Sequence, residues 1–154
     1  MVEPDIVEHQ AFTVVGLSYH GRNQNGEIAE LWDRIRDEED ELRPLASTEA
    51  WYGVSFGGDP DTGEFDYVAG VRADRDSAVP EPFTGVDVPA ATYLQVETTL
   101  GTIDETMEAV HGQWLVDSAY ELSMGPEFER YGPEFDHTDA DAPFDVFVPI
   151  EGAE

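Results

Sequence analysis

Cysteine and lysine are both absent from this chain of 154 residues, and all seven of its basic residues are arginine. Without a thiol, disulfides and thiolate chemistry are excluded. No apolar run approaches the roughly 20 residues that cross a bilayer, and the N-terminus lacks the basic and then apolar pattern of a signal peptide. We therefore expect a cytoplasmic protein that does not associate with membranes.

Recognisable catalytic and cofactor motifs are missing as well. The sequence contains no G-x-S-x-G elbow, no Walker loop and no G-x-G-x-x-G turn. The four histidines are scattered and have no metal-ligand spacing. Asp59–Glu64 lacks the alternating ligands of a calcium loop and is typical of a hairpin turn. We expect no cofactor and no metal site, and an enzyme is the less favoured interpretation.

The charge balance is extreme, with 35 acidic residues and a net charge of −28. This charge disfavours direct binding to nucleic acid or to an anionic membrane, because phosphate would be repelled. The acidic residues are spread over the whole chain instead of being collected in a tail. Together with the use of arginine in place of lysine, that spread is typical of a salt-adapted, haloarchaeal-type protein. We expect low salt to destabilise it, since its charges are then unscreened.

Apolar periodicity divides the chain into two similar halves, each predicting a strand, a helix and two further strands. The predicted elements are strand Ala11–His20, helix Glu27–Leu42 capped by Asn25, strands Trp51–Phe56 and Phe65–Val71, strand Thr92–Thr98, a helix opened by a capping box at Thr102–Glu105, and strands Phe128–Tyr131 and Phe144–Ile150. The order of elements therefore indicates an internal duplication.

An offset of 79 residues supports this duplication, because it aligns Tyr52-Gly53 with Tyr131-Gly132 and Phe65-Asp66 with Phe144-Asp145. The predicted fold class is α+β. Two β-α-β-β units related by a pseudo-twofold axis form an antiparallel sheet, with two helices on one face and a ligand groove between the halves. The predicted boundaries are a single domain at 1–154, repeat one at about 11–72, a linker at 73–90 and repeat two at about 91–150.

Glu129 has the most distinctive setting among the acidic residues, because it lies between Phe128 and Tyr131 in an apparent buried strand. Burying an ionised carboxylate is costly unless a cationic ligand or an arginine compensates. Alternation places Glu129 with Tyr131 on one face, and Asp145 with Phe147 on one face of the last strand. If these strands pair, the four side chains could line one cavity suited to a lipophilic cation. Alternatively, both carboxylates lie on a solvated face.

Four further aromatic residues are candidates for the same ligand site: Trp114 on the second helix, and Tyr93, Trp51 and Tyr19 in strands. Aromatic rings supply apolar area and cation–π attraction. Alternation alone does not decide which of the strand rings face the groove. Trp32 lies on the apolar stripe of the first helix and is predicted to belong to the core.

The most distinctive segments are Val14–Leu17, Leu31-Trp32, Gln113–Leu115, Ser118–Tyr120, Gly125–Tyr131 and Phe144–Ile150. Together they resemble the GyrI-like, AraC-type effector-binding domains, over essentially the whole chain. The resemblance implies a duplicated β-α-β-β fold and a site for small, often cationic or aromatic molecules, as in the sensors of multidrug-responsive regulators. It also implies that Glu129 corresponds to the family's buried glutamate, and Asp145 and Phe147 to its pocket residues on the last strand.

The resemblance implies three functions. The favoured one is a stand-alone, non-catalytic receptor for a lipophilic, cationic or aromatic small molecule. The second is a hydrolase of strained cyclopropane-bearing toxins, in which Glu129 activates water or protonates the ring while Trp114 and Tyr93 stack on the substrate. The third is a gyrase-inhibitor-like module that binds a protein. About ten residues precede the first predicted strand, so we expect no helix-turn-helix segment, and transcriptional control would need a partner regulator.

Overall fold

The structure, a computed structural model, describes residues 4–22, 24–59, 61–74, 79–80, 83–123, 125–133, 135–136 and 138–152. Its strands are β1 (Asp5–His9), β2 (Phe12–Gly21), β3 (Ala46–Phe56), β4 (Phe65–Ala73), β5 (Thr84–Val88), β6 (Ala91–Thr99), β7 (Tyr120–Leu122), β8 (Glu127–Tyr131) and β9 (Pro143–Gly152). Its helices are α1 (Glu27–Asp37), α2 (Glu39–Leu42), α3 (Ile103–Ala109) and α4 (Leu115–Asp117). A 3₁₀ turn at Arg43–Leu45 follows α2, and a π-helical turn at Val110–Trp114 joins α3 to α4.

The strand order of the sheet is symmetric with respect to the duplication. The order is β1-β6-β9-β8-β3-β4-β2-β5, with β7 paired to β9 outside this path. Exchanging each strand with its counterpart in the other half, β2 with β6, β3 with β8, β4 with β9 and β1 with β5, gives the same order read from the opposite edge of the sheet. The predicted α+β class and the duplication about a pseudo-twofold axis are confirmed.

The duplication extends further than the sequence predicted. β1 and β5 are separated by the same offset of 79 residues, Asp5–His9 against Thr84–Val88. Each of them pairs with the long strand of the other half, β1 with β6 and β5 with β2. The predicted linker at 73–90 therefore needs correction, because it contains strand β5. Residues 75–78 and 81–82 of that linker lie outside the described residues.

Chain connectivity forces this sheet to curl. β1 and β2 are joined by Gln10 and Ala11 alone, although they stand six positions apart in the strand order. A flat sheet would separate them by about 29 Å, whereas such a connection spans at most about 11 Å. β5 and β6 are joined equally tightly by Pro89 and Ala90. The sheet therefore has a convex face and an enclosed concave face.

The two faces bury different cores. The concave face encloses a cluster that contains no helix residue and includes Phe12, Tyr52, Tyr93, Phe128 and Phe147. The convex face carries both helical segments: Leu31 and Ile35 of α1 pack on one half, and Val110 at the end of α3 packs on the other. The helices thus lie on a single face, as predicted.

The ends of the helices differ from the prediction. α1 begins after Gly26, whose φ of 75° is left-handed, and no side chain caps it, so Asn25 is not the cap. The helix predicted to reach Leu42 is interrupted at Glu38. Thr102 precedes α3 without capping it, because its hydroxyl bonds to that of Thr99 at 2.7 Å. No helix within the described ranges is both long and apolar enough to cross a bilayer.

Candidate functional site

Glu129 lies on the convex face, at the junction between the two halves of the sheet. It is opposite Gly53 in the β3–β8 pair and opposite Val146 in the β8–β9 pair. Directly opposed residues of antiparallel strands share a face. Glu129 is therefore placed between the core under α1 and the core under α3, and its side chain is partly buried.

Two tyrosine side chains bind the carboxyl group of Glu129, and a tryptophan orients one of them. The hydroxyls of Tyr67 and Tyr131 donate to its Oε1 at 3.0 and 3.2 Å. The indole Nε1–H of Trp32 donates to the Tyr67 hydroxyl at 3.1 Å, which directs the phenolic proton toward the carboxylate. Among the residues that the structure describes, no donor bonds to Oε2 and no arginine forms an ion pair with Glu129.

Gly53 provides the room for this network. A Cβ at position 53 would lie 1.9 Å from the Tyr67 hydroxyl and 3.0 Å from Oε1 of Glu129. Tyr67 is paired with Ser55 on β3 and reaches Glu129 by leaning across the glycine. Any larger residue at position 53 would push the phenol off the carboxylate.

Withdrawal from water changes the protonation of this cluster. Burial raises the pKa of Glu129 to about 7, although the two tyrosine hydrogen bonds favour its ionised form. Glu127 lies on the same face two residues earlier, opposite Ser55. Burial and the charge of Glu129 raise the pKa of Glu127 to about 7 as well. Burial also raises the pKa of Tyr67 and Tyr131 well above the usual range, so both phenols remain donors at neutral pH.

A cavity of about 500 Å³ opens beside this cluster, between α1 and the end of β8. That volume lies in the range of roughly 300–1,000 Å³ found for small-molecule sites. Its aromatic walls are Trp32, Trp51, Tyr131 and Phe135. Its charged lining consists of two ion pairs, Arg36 with Asp33 and Arg43 with Glu39. Both halves of the chain contribute residues, so the predicted groove between the halves is present.

Two of the residues predicted for the ligand site, Trp51 and Tyr131, line this cavity, whereas in the described structure Glu129 lies behind that lining and is joined to it through Tyr131. Trp51 is directly opposite Tyr131 in the β3–β8 pair. This pair lies on the same face as the pair of Gly53 with Glu129, two residues away along each strand. The ring of Tyr131 is fixed by Trp32 at 5.3 Å and by Phe144 at 4.7 Å between centroids. Tyr131 therefore belongs both to the cavity wall and to the hydrogen-bond network of the carboxylate.

Asp145 and Phe147 do not share a face with Glu129, and this part of the predicted geometry is wrong. The register pairs Phe128 with Phe147 and Arg130 with Asp145, which places both residues on the concave face. Phe147 is fully buried there and stacks on Phe128 with centroids 4.4 Å apart. Asp145 accepts a hydrogen bond from Arg130 Nη2 at 2.8 Å. The arginine that could have neutralised Glu129 thus neutralises Asp145.

The other three candidates also lie outside this cavity. Tyr93 is fully buried in the concave cluster, and its hydroxyl donates to the carbonyl of Pro89 at 3.3 Å. Trp114 stacks on Tyr120 with centroids 6.2 Å apart, in the π-helical turn above the second half. Tyr19 packs at the edge of the core under α1. None of them contributes to the lining of the cavity.

Sequence reasoning missed two residues of the network. Trp32 was predicted to be core, yet it both lines the cavity and donates to Tyr67. Tyr67 lies in the predicted strand Phe65–Val71 and is not among the predicted site residues, because nothing local indicates that its hydroxyl meets a carboxylate 62 residues away. Within the described segments, no group of three or more His, Asp or Glu side chains is arranged to hold a metal ion.

The raised pKa of Glu129 predicts a dependence of stability on pH. With a pKa of about 7 in the folded protein against 4.5 for a free side chain, the folded state holds a proton that the unfolded state has released between these values. Stability should therefore fall as pH rises through this window, and at about 1.4 kcal/mol per pKa unit the loss is roughly 3 kcal/mol. Glu129→Gln removes the penalty and should be more stable than the natural protein at pH 8.

Thermal unfolding of the two proteins at pH 8 and near pH 4.5 measures this effect, because the difference should shrink at the lower pH. Glu121→Gln is the matched control, since it makes the same charge change at an exposed position of β7. Equal gains for Glu121→Gln and Glu129→Gln would mean that relief of general self-repulsion, and not burial, raises the stability.

The whole chain is similar to known proteins. A family profile described as integron-associated effector binding protein matches residues 5–150. The transcriptional regulator BrlR of Pseudomonas aeruginosa is 34% identical over 149 residues, which are 94% of this chain and 54% of the regulator. The chain therefore spans about half the length of this curated relative.

Solved structures share the fold at lower identity. SAV2435, solved with bound tetraphenylphosphonium, superposes with a TM-score of 0.77 at 22% identity, covering 97% of this chain and 94% of that one. The C-terminal domain of EcmrR superposes with a TM-score of 0.74 at 15% identity, covering 99% of each chain. An integron cassette protein from the mobile metagenome of Vibrio cholerae gives a TM-score of 0.66 at 17% identity over 96% of this chain and 95% of that one.

Proposed function

This chain belongs to the family of integron-associated effector-binding proteins, and we propose that it is a receptor for a lipophilic organic cation. The cation would bind in the cavity formed by Trp32, Trp51 and Tyr131, within the field of Glu129. It would be held without being transformed. In this proposal the protein is a sensing or sequestering module.

The observation that carries the proposal is the isolation of the Glu129 carboxylate. Within the described part of the chain the carboxylate is stabilised by two phenol hydroxyls and by no cation. A buried charge without a counter-charge is costly. A ligand cation placed against the aromatic wall would lower that cost, and the rings would add cation–π attraction. The free protein thus holds an unfavourable charge that a ligand of opposite charge can relieve.

One structural neighbour supports the same class of ligand. Tetraphenylphosphonium, bound by SAV2435, is a bulky aromatic cation of the kind that a cavity of about 500 Å³ with aromatic walls would accept. The net charge of −28 disfavours contact with DNA. We therefore propose that this domain does not itself contact DNA.

The proposal is tested by titrating the protein with tetraphenylphosphonium and with the uncharged triphenylphosphine oxide in multimolar salt. Trp32 and Trp51 line the cavity, so quenching of tryptophan fluorescence should report binding. The cation is expected to bind at least about tenfold more tightly, which corresponds to about 1.4 kcal/mol. Equal affinity for the two compounds, or no binding of the cation, would show that the charge of the site has no such role.

One observation favours the hydrolase as a second candidate. A carboxyl group with a pKa of about 7 can exchange a proton near neutral pH, which suits general acid or base catalysis. Incubation with a cyclopropane-bearing electrophile and mass spectrometry of the products would distinguish the two functions. Turnover that disappears in Glu129→Gln supports the hydrolase, whereas recovery of the intact compound supports the receptor.

A further inference from the structure

The cavity already contains a cation that belongs to the protein itself. Arg43 lies in the 3₁₀ turn after α2, and its Cζ is 4.7 Å from the centroid of the Trp51 ring. Both residues line the cavity. We propose that Arg43 is a resident competitor that a ligand cation must displace from Trp51, and that it thereby determines which cations the site accepts. This inference rests on the proposed receptor function.

The position of the ring makes the competition direct. Trp51 is opposite Tyr131, and Tyr131 is in turn bonded to Glu129. A cation drawn toward Glu129 from the cavity therefore meets the Trp51–Tyr131 wall. The guanidinium of Arg43 covers a face of Trp51 that such a cation would use.

The contacts that hold Arg43 in place are weak enough for a ligand to displace its side chain from Trp51. Its Nε donates to Glu39 Oε1 at 3.2 Å, and its Nη1 donates to the carbonyl of Glu49 at 3.3 Å. Both contacts are long, and the ion pair is exposed, with side-chain exposures of 40% and 46%. Exposed pairs of this kind contribute little to stability. Arg43 can therefore swing away from the ring and remain solvated and paired with Glu39.

The competitor also defines a chemical preference. A guanidinium is planar, delocalised and weakly hydrated, so it stacks on an aromatic face better than a compact ammonium does. A small, strongly hydrated ammonium gains too little from Trp51 to replace it. A large cation with its charge spread over aromatic rings gains area on several walls at once. The site should therefore retain bulky delocalised cations and reject small ones.

Arg36 provides an internal comparison. It lines the same cavity and is paired with Asp33, as Arg43 is paired with Glu39. In the described structure Arg36 stacks on no aromatic ring, whereas Arg43 does. Arg36→Gln and Arg43→Gln thus remove the same charge from the same cavity, and only the second uncovers Trp51.

The experiment measures tetraphenylphosphonium affinity by isothermal titration calorimetry for the natural protein, Arg43→Gln and Arg36→Gln. Thermal unfolding checks that each variant is folded. Both substitutions should tighten binding slightly, because each makes the cavity more negative. Arg43→Gln should tighten it about 3- to 10-fold beyond Arg36→Gln, the size expected for removal of one cation–π competitor. In a Trp51→Leu background the extra gain should vanish.

The outcomes separate this inference from the proposed function. Equal affinities of Arg43→Gln and Arg36→Gln, or weaker binding by Arg43→Gln than by the natural protein, overturn the role of Arg43 while leaving the receptor intact. An extra gain that persists in Trp51→Leu also overturns it, because the competition is then not for that ring. If none of the proteins binds the cation, the receptor function fails and the inference fails with it.

Discussion

Glu129→Gln should weaken the binding of tetraphenylphosphonium about 30- to 100-fold at pH 8 in multimolar salt. Glutamine keeps the size of the side chain and an oxygen that accepts from Tyr67 and Tyr131, but it removes the charge. Truncating one partner of a desolvated charge pair costs about 2–5 kcal/mol, and screening by salt acts least on partly buried pairs. Calorimetric titration of both proteins measures the loss.

The contribution of Glu129 to the affinity for the cation should also depend on pH. The pKa of Glu129 is about 7, so the carboxyl group is mostly ionised at pH 8 and mostly protonated well below pH 7. The affinity of the natural protein should therefore fall as pH decreases through 7, whereas the affinity of Glu129→Gln should change little. A natural protein that binds equally well at pH 8 and pH 5.5 would contradict the prediction.

Asp145→Asn is the matched control for this experiment. The sequence alone places Asp145 beside Glu129 in one site, whereas the structure places it on the concave face, paired with Arg130. Asp145→Asn should therefore leave the affinity within about twofold, a difference of roughly 0.4 kcal/mol. A large loss in Asp145→Asn as well as in Glu129→Gln would support the arrangement inferred from alternation, in which both carboxylates line one cavity, and would contradict the placement of Asp145 on the concave face.

Gly16→Ala should destabilise the fold by roughly 3 kcal/mol or more, the upper part of the range for overpacking. Gly16 of β2 is opposite Gly70 of β4. A Cβ at position 16 would lie 1.8 Å from the carbonyl oxygen of Ala69, and one at position 70 would lie 1.9 Å from that of Val15. The obstacle is backbone in both cases, so no side chain can turn aside and the strands would have to separate. Chemical unfolding at constant high salt measures the loss.

Gly112→Ala is the control for that experiment. Gly112 lies in the π-helical turn, and a Cβ there would meet no atom within 4 Å. Alanine is favoured over glycine in helical segments by about 1 kcal/mol, so this variant should be as stable as the natural protein or more stable. If both variants unfolded at the same denaturant concentration, the close approach of β2 and β4 would not limit the sequence at position 16.

Local pattern was sufficient to predict most of the secondary structure and the duplication. Alternation and β-branched composition identify β2, β4, β6 and β9 to within one or two residues at most ends, because these signals depend on neighbouring positions only. Strands β1 and β5 are not predicted from the sequence, because each has only five residues, is partly exposed and is rich in turn-forming or charged residues. Their assignment follows from pairing across the two halves, which a single strand does not encode.

The geometry of the candidate site depends on the register between strands, which the local pattern of residues does not predict. Alternation within each strand was correct: Glu129 and Tyr131 share a face of β8, and Asp145 and Phe147 share a face of β9. The sequence does not indicate the register between the two strands. In the structure this register pairs Phe128 with Phe147. Because side chains alternate with a period of two, a change of one residue in register exchanges the faces completely.

The sequence by itself determined the two-part architecture, the placement of the helices on one side and the choice of Glu129 as the unusual carboxylate, because each of these follows from periodicity or from composition near one position. Only the tertiary structure decided which acid has an arginine partner, that Trp32 and Tyr67 reach Glu129, and that Arg43 covers Trp51. These contacts join residues from 8 to 62 positions apart, and their formation depends on how the strands and the helical segment pack and not on the pattern of neighbouring residues.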